Sequence, residues 1–276
     1  MTKPTITLTS DQVDFYKQQG YLTLDAVTTP EELAFLRECY DKMFREQAGR
    51  EAGEQFDLGG TDEEGKEAVL PQILGFQRFI PDFDKTILFA NCNAIAKGLL
   101  GDDATSGGGH AIFKPARYGA ATPWHQDEAY WGTGVAYRSM SIWIPLQEAT
   151  LENGCMHFVP GSHKLDVLEH QSINNDPRIH GLELVASEMP HVKEAVACPL
   201  PPGGATIHDS RTLHYTPPNR SDIPRRAMIM MAGAPAKKIG EPGQHPWQAA
   251  KQTARNERAK RAAAAATTVK ADRGHE

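Results

Sequence analysis

Long apolar runs, excess positive charge and clustered cysteines are all missing from this sequence. Its four cysteines, Cys39, Cys92, Cys155 and Cys198, lie far apart and form no C-x-x-C pair, which excludes a disulfide framework and a zinc knuckle. Four free thiols in a reducing compartment are expected instead. No stretch approaches the ~18 apolar residues of a membrane span, and the opening M-T-K-P-T-I-T-L-T-S-D-Q has no apolar signal segment, so a cytoplasmic location without membrane attachment is expected. Lys and Arg number 29 against 35 Asp and Glu, a net charge of -6. A nucleic-acid groove works by neutralising phosphates, so nucleic acid is not an expected partner.

The chain has 276 residues, 40% hydrophobic and 23% charged, enough for one sizeable core. Thr9 and Gln12 form a capping-box pattern ahead of a helix that stops at Gly20, and a short strand over Tyr21 to Leu24 should follow. Thr29-Pro30-Glu31-Glu32 starts a second helix, whose Leu33, Leu36, Tyr40 and Met43 make one apolar stripe. A third helix is expected within Asp82 to Leu100. Arg50 to Lys66, rich in acid and glycine, predicts a mobile surface loop.

Beyond about residue 110, short alternating runs are separated by Gly, Pro and Asn turns. In Ser139 to Leu146, Met140, Ile142, Ile144 and Leu146 share one face while Ser139, Ser141 and Trp143 share the other, the period of a half-buried strand. The expected fold is mainly β with flanking helices, a sandwich or barrel. This body should span residues 1–235. Residues 236–276 read as a basic, Ala-rich tail, helical or partly disordered; from Trp247 to Glu276, Lys251, Arg255, Arg258, Lys260, Arg261, Lys270 and Arg273 outnumber Glu257, Asp272 and Glu276.

Of 11 histidines, His110, His170, His180, His191, His245 and His275 fall in apparent loops or tails, and His157 and His163 flank a V-P-G-S-H turn. His125 and Asp127, two residues apart in T-P-W-H-Q-D, project to one side of an extended strand while Gln126 points away. His214 stands in a later strand-like stretch. Two neutral nitrogens and one carboxylate oxygen make a facial triad that suits non-haem Fe(II). His208 and Asp209 are rivals, but as neighbours they point to opposite sides of a strand and read as structural. The turn-rich Pro217 to Pro224 segment predicts a hairpin that sets Arg225 beside His214, where a guanidinium could grip a carboxylate. Thr216 shares the parity of His214, and Arg226 must face the opposite way.

The chain resembles the phytanoyl-CoA dioxygenase-like iron(II)/2-oxoglutarate oxygenases over roughly residues 8 to 232. The resemblance rests on the ordered phrases L-T-S-D-Q-V-D-F-Y-K-Q-Q-G-Y-L, W-H-Q-D, S-I-W-I-P-L, E-N-G-C-M-H-F-V-P-G-S-H-K and P-G-G…H-Y-T-P-P-N-R-S…R-R. It implies a double-stranded β-helix, the cupin-like jelly roll, which agrees with the strand texture. It implies His125, Asp127 and His214 as Fe(II) ligands, Arg225 as the anchor of 2-oxoglutarate with Thr216 assisting, and Lys114 as a further candidate contact to that cosubstrate. Dioxygen would be the oxidant, a small molecule the substrate, and hydroxylation with release of succinate and CO2 the reaction. Related halogenases lack the carboxylate, so Asp127 favours hydroxylation.

Tyr130, Trp131 and Trp143 are candidate substrate-pocket residues, and the segments Glu51 to Gly65 and Leu165 to His191 are candidate lids. The same three ligands would also serve a cupin-like isomerase or hydrolase with Zn(II) or Mn(II), and a non-catalytic sandwich is a further alternative. Monomer and homodimer are equally compatible with the sequence.

Overall fold

In a computed structural model, residues 2–273 are described, with side chains through Ala266. The expected end of the tail at residues 274–276 lies outside the described residues. Two antiparallel sheets face each other. The larger holds seven strands: β1 (Tyr21–Leu24), β2 (Gln55–Asp57), β3 (Pro71–Leu74), β4 (Thr105–Lys114), β6 (Gly132–Pro145), β11 (Ala205–Asp209) and β13 (Arg225–Gln244), in the order β1-β11-β6-β13-β4-β3-β2. The smaller holds β5 (Thr122–His125), β7 (Met156–Phe158), β10 (Val196–Cys198) and β12 (His214–Thr216), in the order β10-β7-β12-β5. β8 (His170–Ser172) and β9 (Leu182–Leu184) form a separate ribbon. This is the expected jelly roll.

Three helices cover the outer face of the large sheet: α1 (Ser10–Gln19), α2 (Pro30–Arg45) and α3 (Ile87–Leu100). Thr9 and Gln12 cap α1 reciprocally, and Gly20 closes it with φ 79°, a conformation that costs glycine nothing. Thr29 accepts the Glu32 amide at the start of α2, whose buried Leu33, Leu36, Tyr40 and Met43 join Met140, Ile142, Ile144, Met228 and Met230 in one core. Each such side chain is worth ~1.5–3 kcal/mol when buried. The opposite parity of the same strands (Trp143, Ala227, Ile229) faces the small sheet's Met156 and Phe158. Strand alternation therefore sends Arg226 outward to Asp41 on α2, at 2.6 and 3.0 Å, and Arg225 inward.

Three expectations about chain organisation need correction. Pro217 to Pro224 is not a hairpin: β12 belongs to the small sheet and β13 to the large one, so the segment crosses between layers and Arg225 arrives opposite His214 rather than beside it. The acidic Arg50 to Lys66 segment is not a bare loop. It contains β2, with Phe56 only 1% exposed, and the Asp57 carboxylate accepts the amides of Gly59, Val69 and Leu70 at 2.9–3.1 Å. The boundary at residue 235 falls inside β13, which runs on to Gln244; α4 (Pro246–Ala249) and α5 (Ala254–Arg273) then pack back on the body. All four cysteines are free, as expected.

Candidate active site

His125 ends β5, and His214 begins β12 directly opposite it in the strand register, which brings their ring centroids to 4.1 Å. Asp127 opens the 3-10 turn Asp127–Tyr130 that follows β5. Its Oδ1 lies 3.8 Å from His125 Nε2 and 3.5 Å from His214 Nε2. One ligand atom from each residue lies within 4.8 Å of the others, the only such group among the described residues. The backbone sets the tautomers. His125 Nδ1 donates to the Pro123 carbonyl at 2.8 Å and His214 Nδ1 to Thr212 at 2.9 Å, so each Nε2 presents a lone pair to the common point. Gln126 does point away, bonded to the Arg211 and Asp166 carbonyls and the Leu168 amide.

Protonation follows burial. Burial alone would raise the Asp127 carboxyl, but His214, His208 and His125 around it hold it well below the usual carboxylate range. Burial pushes the His125 and His214 imidazoles down, His214 further because of its His125 neighbour. Neutral nitrogens and an anionic oxygen are the states that a cation needs.

Sequence reasoning missed His208. It stands on β11 of the opposite sheet, and its Nε2 is 3.2 Å from Asp127 Oδ2 while its Nδ1 has no partner. Ser141 donates to the same oxygen at 2.6 Å, which leaves Oδ1 for a metal. His208 and Asp209 do point to opposite sides, but strand parity with inward-facing residues was the signal that His208 enters the site. His110, taken for a loop residue, lies on β4 and lines the same cavity, where burial lowers it to about 4.

The cavity above the triad has a volume of about 340 Å³, the size of a small-molecule site. Arg225 lines it from β13 at 1% exposure, with its guanidinium 5.3 Å from the Trp143 ring. No carboxylate pairs with it among the described residues; Nε has no partner and one amino group reaches the Ile112 carbonyl only at 3.5 Å. Thr216 Oγ1 in the same cavity is also buried without a partner. A charged donor and a hydroxyl left bare in a dry pocket fit an anionic guest.

Lys114, paired in register with Arg225, instead donates to the Thr216 and Pro217 carbonyls at 3.1 and 2.6 Å and is not among the lining residues. Tyr130, Trp131 and Trp143 all line the cavity. Of the two candidate lids, the first contributes Leu58 to the lining and the second His180.

A jelly roll that brings two imidazoles and a carboxylate together in its cavity defines a metal-binding site of the facial-triad class. The particular family follows from comparison: the chain belongs to the phytanoyl-CoA dioxygenase (PhyH) family, whose model matches residues 16–227. It is 26% identical over 257 residues to phytanoyl-CoA dioxygenase domain-containing protein 1 of Danio rerio, covering 79% of this chain and 87% of that protein. Ectoine dioxygenase of Sphingopyxis alaskensis is 22% identical over 247 residues, 85% of this chain and 79% of its own. The crystal structure of EvdO2 from Micromonospora carbonacea var. aurantiaca complexed with 2-oxoglutarate superposes with a TM-score of 0.72 at 36% identity, over 89% of this chain and 99% of that one.

Proposed function

We propose that this protein is an Fe(II)- and 2-oxoglutarate-dependent dioxygenase that hydroxylates a small organic molecule. The observation that carries the reading is the buried, unpaired guanidinium of Arg225, which shares one cavity with the triad. A metal site alone would not require it. The relative bound to 2-oxoglutarate supports the identity of the guest.

Bound together, Fe(II) and 2-oxoglutarate would supply the power to insert one atom of dioxygen into a C–H bond, releasing succinate and CO2. His125 Nε2, Asp127 Oδ1 and His214 Nε2 would hold the metal. Ser141 and His208 fix Asp127 by its other oxygen, so the carboxylate stays oriented. Arg225 and Thr216 would take the distal carboxylate of 2-oxoglutarate, a charge-assisted contact that sets its direction in advance.

Away from these groups, the lining includes Leu58, Gln72, His110, Tyr130, Trp131 and His180. Among the described lining residues, Asp127 and Arg225 are the only ones of the Asp, Glu, Lys and Arg types, so the space left for substrate suits an uncharged molecule with ring or hydroxyl groups.

Anaerobic titration tests the reading. Fe(II) plus 2-oxoglutarate should give a visible charge-transfer band, and air should then release succinate. Metal binding without the band, with Zn(II) serving as well as Fe(II), would point to a hydrolase or isomerase instead.

A further inference from the structure

The C-terminal segment lies beyond residues 16–227 of the family match, yet it touches several pieces of wall around the cavity. Trp247 Nε1 and Gln248 Nε2 both donate to the Ala129 carbonyl at 2.9 Å, inside the turn that begins with Asp127. The Trp247 ring also lies 5.6 Å from that of His170, whose Nε2 accepts the Gln126 amide between the two ligands His125 and Asp127. Lys251 Nζ donates to the His180 carbonyl and sits 4.9 Å from the centroid of the Tyr130 ring. The Gln252 amide bonds the Pro177 carbonyl at 2.9 Å.

Further on, Arg255 bonds the Gly53 carbonyl at 3.0 Å and covers the Phe56 ring. Arg258 bonds the Arg50 and Gln55 carbonyls and pairs with Asp62. The approach at Gly53 is close: a Cβ there would lie 2.6 Å from the Arg255 carbonyl oxygen.

Tyr130 and His180 belong to a 3-10 turn and a loop, in ring contact with each other at 6.0 Å, and the Leu182 amide of β9 donates to the Tyr130 hydroxyl. Their other ring contacts are Tyr130 with His125 at 5.9 Å and His180 with Phe56 at 4.7 Å. Both line the cavity, but Lys251 lies behind them.

We propose that residues 246–258 are a clasp that holds the outer wall of the substrate cavity in place, with Lys251 as its positioning residue. Lys251 bridges Tyr130 and His180 in one side chain. Burial, with the neighbouring Arg255, lowers it to about 7, and the bond to the His180 carbonyl can be donated by either protonation state. The clasp's effect on which substrates fit rests on the oxygenase reading; its effect on the wall does not.

Hydrogen exchange on the full-length protein, as isolated and as Lys251→Met and Lys251→Arg, tests this. Lys251→Met should speed exchange of the backbone amides at 129–131 and 180–184 by about tenfold, through loss of the hydrogen bond to His180 together with the cation–ring contact to Tyr130. Amides of β11 and β13 within residues 205–209 and 227–231 should be unchanged. Lys251→Arg, which can still donate and cover the ring, should restore protection. The concentration of 2-oxoglutarate that half-saturates the Fe(II) band should be the same in all three. Unchanged exchange at the wall, uniform acceleration across the chain, or no rescue by arginine would each overturn the clasp. Absence of any Fe(II) band in the unaltered protein would defeat the oxygenase reading while leaving the exchange comparison decisive for the clasp.

Discussion

At the inner end of the cavity, His125, His214, His208 and Arg225 project from paired strands, and Asp127 from the turn that continues one of them, whereas at the outer end Tyr130, His180 and Leu58 come from turns and connections. Inner positions are set by strand register, as in the direct pairing of His125 with His214. The turn and loop at the outer end also take side-chain bonds from the C-terminal segment, Trp247 to the Ala129 carbonyl and Lys251 to the His180 carbonyl. The contrast separates residues fixed by strand register from a wall carried by connections, where side chains can change without shifting that register.

That separation can be broken most severely from the inside. Asp127→Ala or His214→Ala should abolish the Fe(II) band and succinate release, because each removes one of three ligands, while thermal unfolding remains cooperative. Retained turnover in His214→Ala would contradict its assignment.

Arg225→Met should raise the 2-oxoglutarate requirement by about a hundredfold through loss of a charged hydrogen-bond partner. It should also leave the metal-free, cosubstrate-free protein as stable or more stable by ~1 kcal/mol, since an unpaired buried charge gives way to an apolar side chain of similar length. A large fall in unfolding temperature would show that Arg225 is a structural residue.

Ser141→Ala, or His208→Asn, should weaken Fe(II) binding by about tenfold, with the 2-oxoglutarate requirement little changed, because only the orientation of Asp127 is relaxed. Equilibrium titration with Fe(II) under nitrogen measures this. The smallest effect is expected outside the cavity. Arg226→Ala removes the half-exposed pair with Asp41 and should cost at most ~1 kcal/mol in denaturant unfolding, with metal and 2-oxoglutarate binding unaltered.

Much of the inner end was legible before any coordinates, because strand parity is a local rule. It placed His125 and Asp127 together, turned Gln126 away, and sent Arg225 and Arg226 to opposite faces. Helix starts at Thr9 and Thr29 were equally local. What failed was information about partners. A run of turn residues from Pro217 to Pro224 looks the same whether the chain folds back on its neighbour or crosses to the other sheet, so Arg225 was placed beside His214 rather than opposite it.

The acidic segment read as unable to pack because its partners are distant: Asp62 meets Arg258, and Asp57 is satisfied by amides across β2 and its flanking loop. For the same reason the tail reads as a separate basic segment, although Lys251, Arg255 and Arg258 are bonded to carbonyls of the body. His208 was dismissed as half of an impossible pair, when a single inward imidazole was enough to reach Asp127.

The most direct test is a crystal structure grown anaerobically with Fe(II) and 2-oxoglutarate, with the iron located by anomalous scattering. One iron bound by His125 Nε2, Asp127 and His214 Nε2, with the distal carboxylate of 2-oxoglutarate on Arg225 and Thr216, is the expected result. Iron held by other residues, or a distal carboxylate seated away from Arg225, would contradict it.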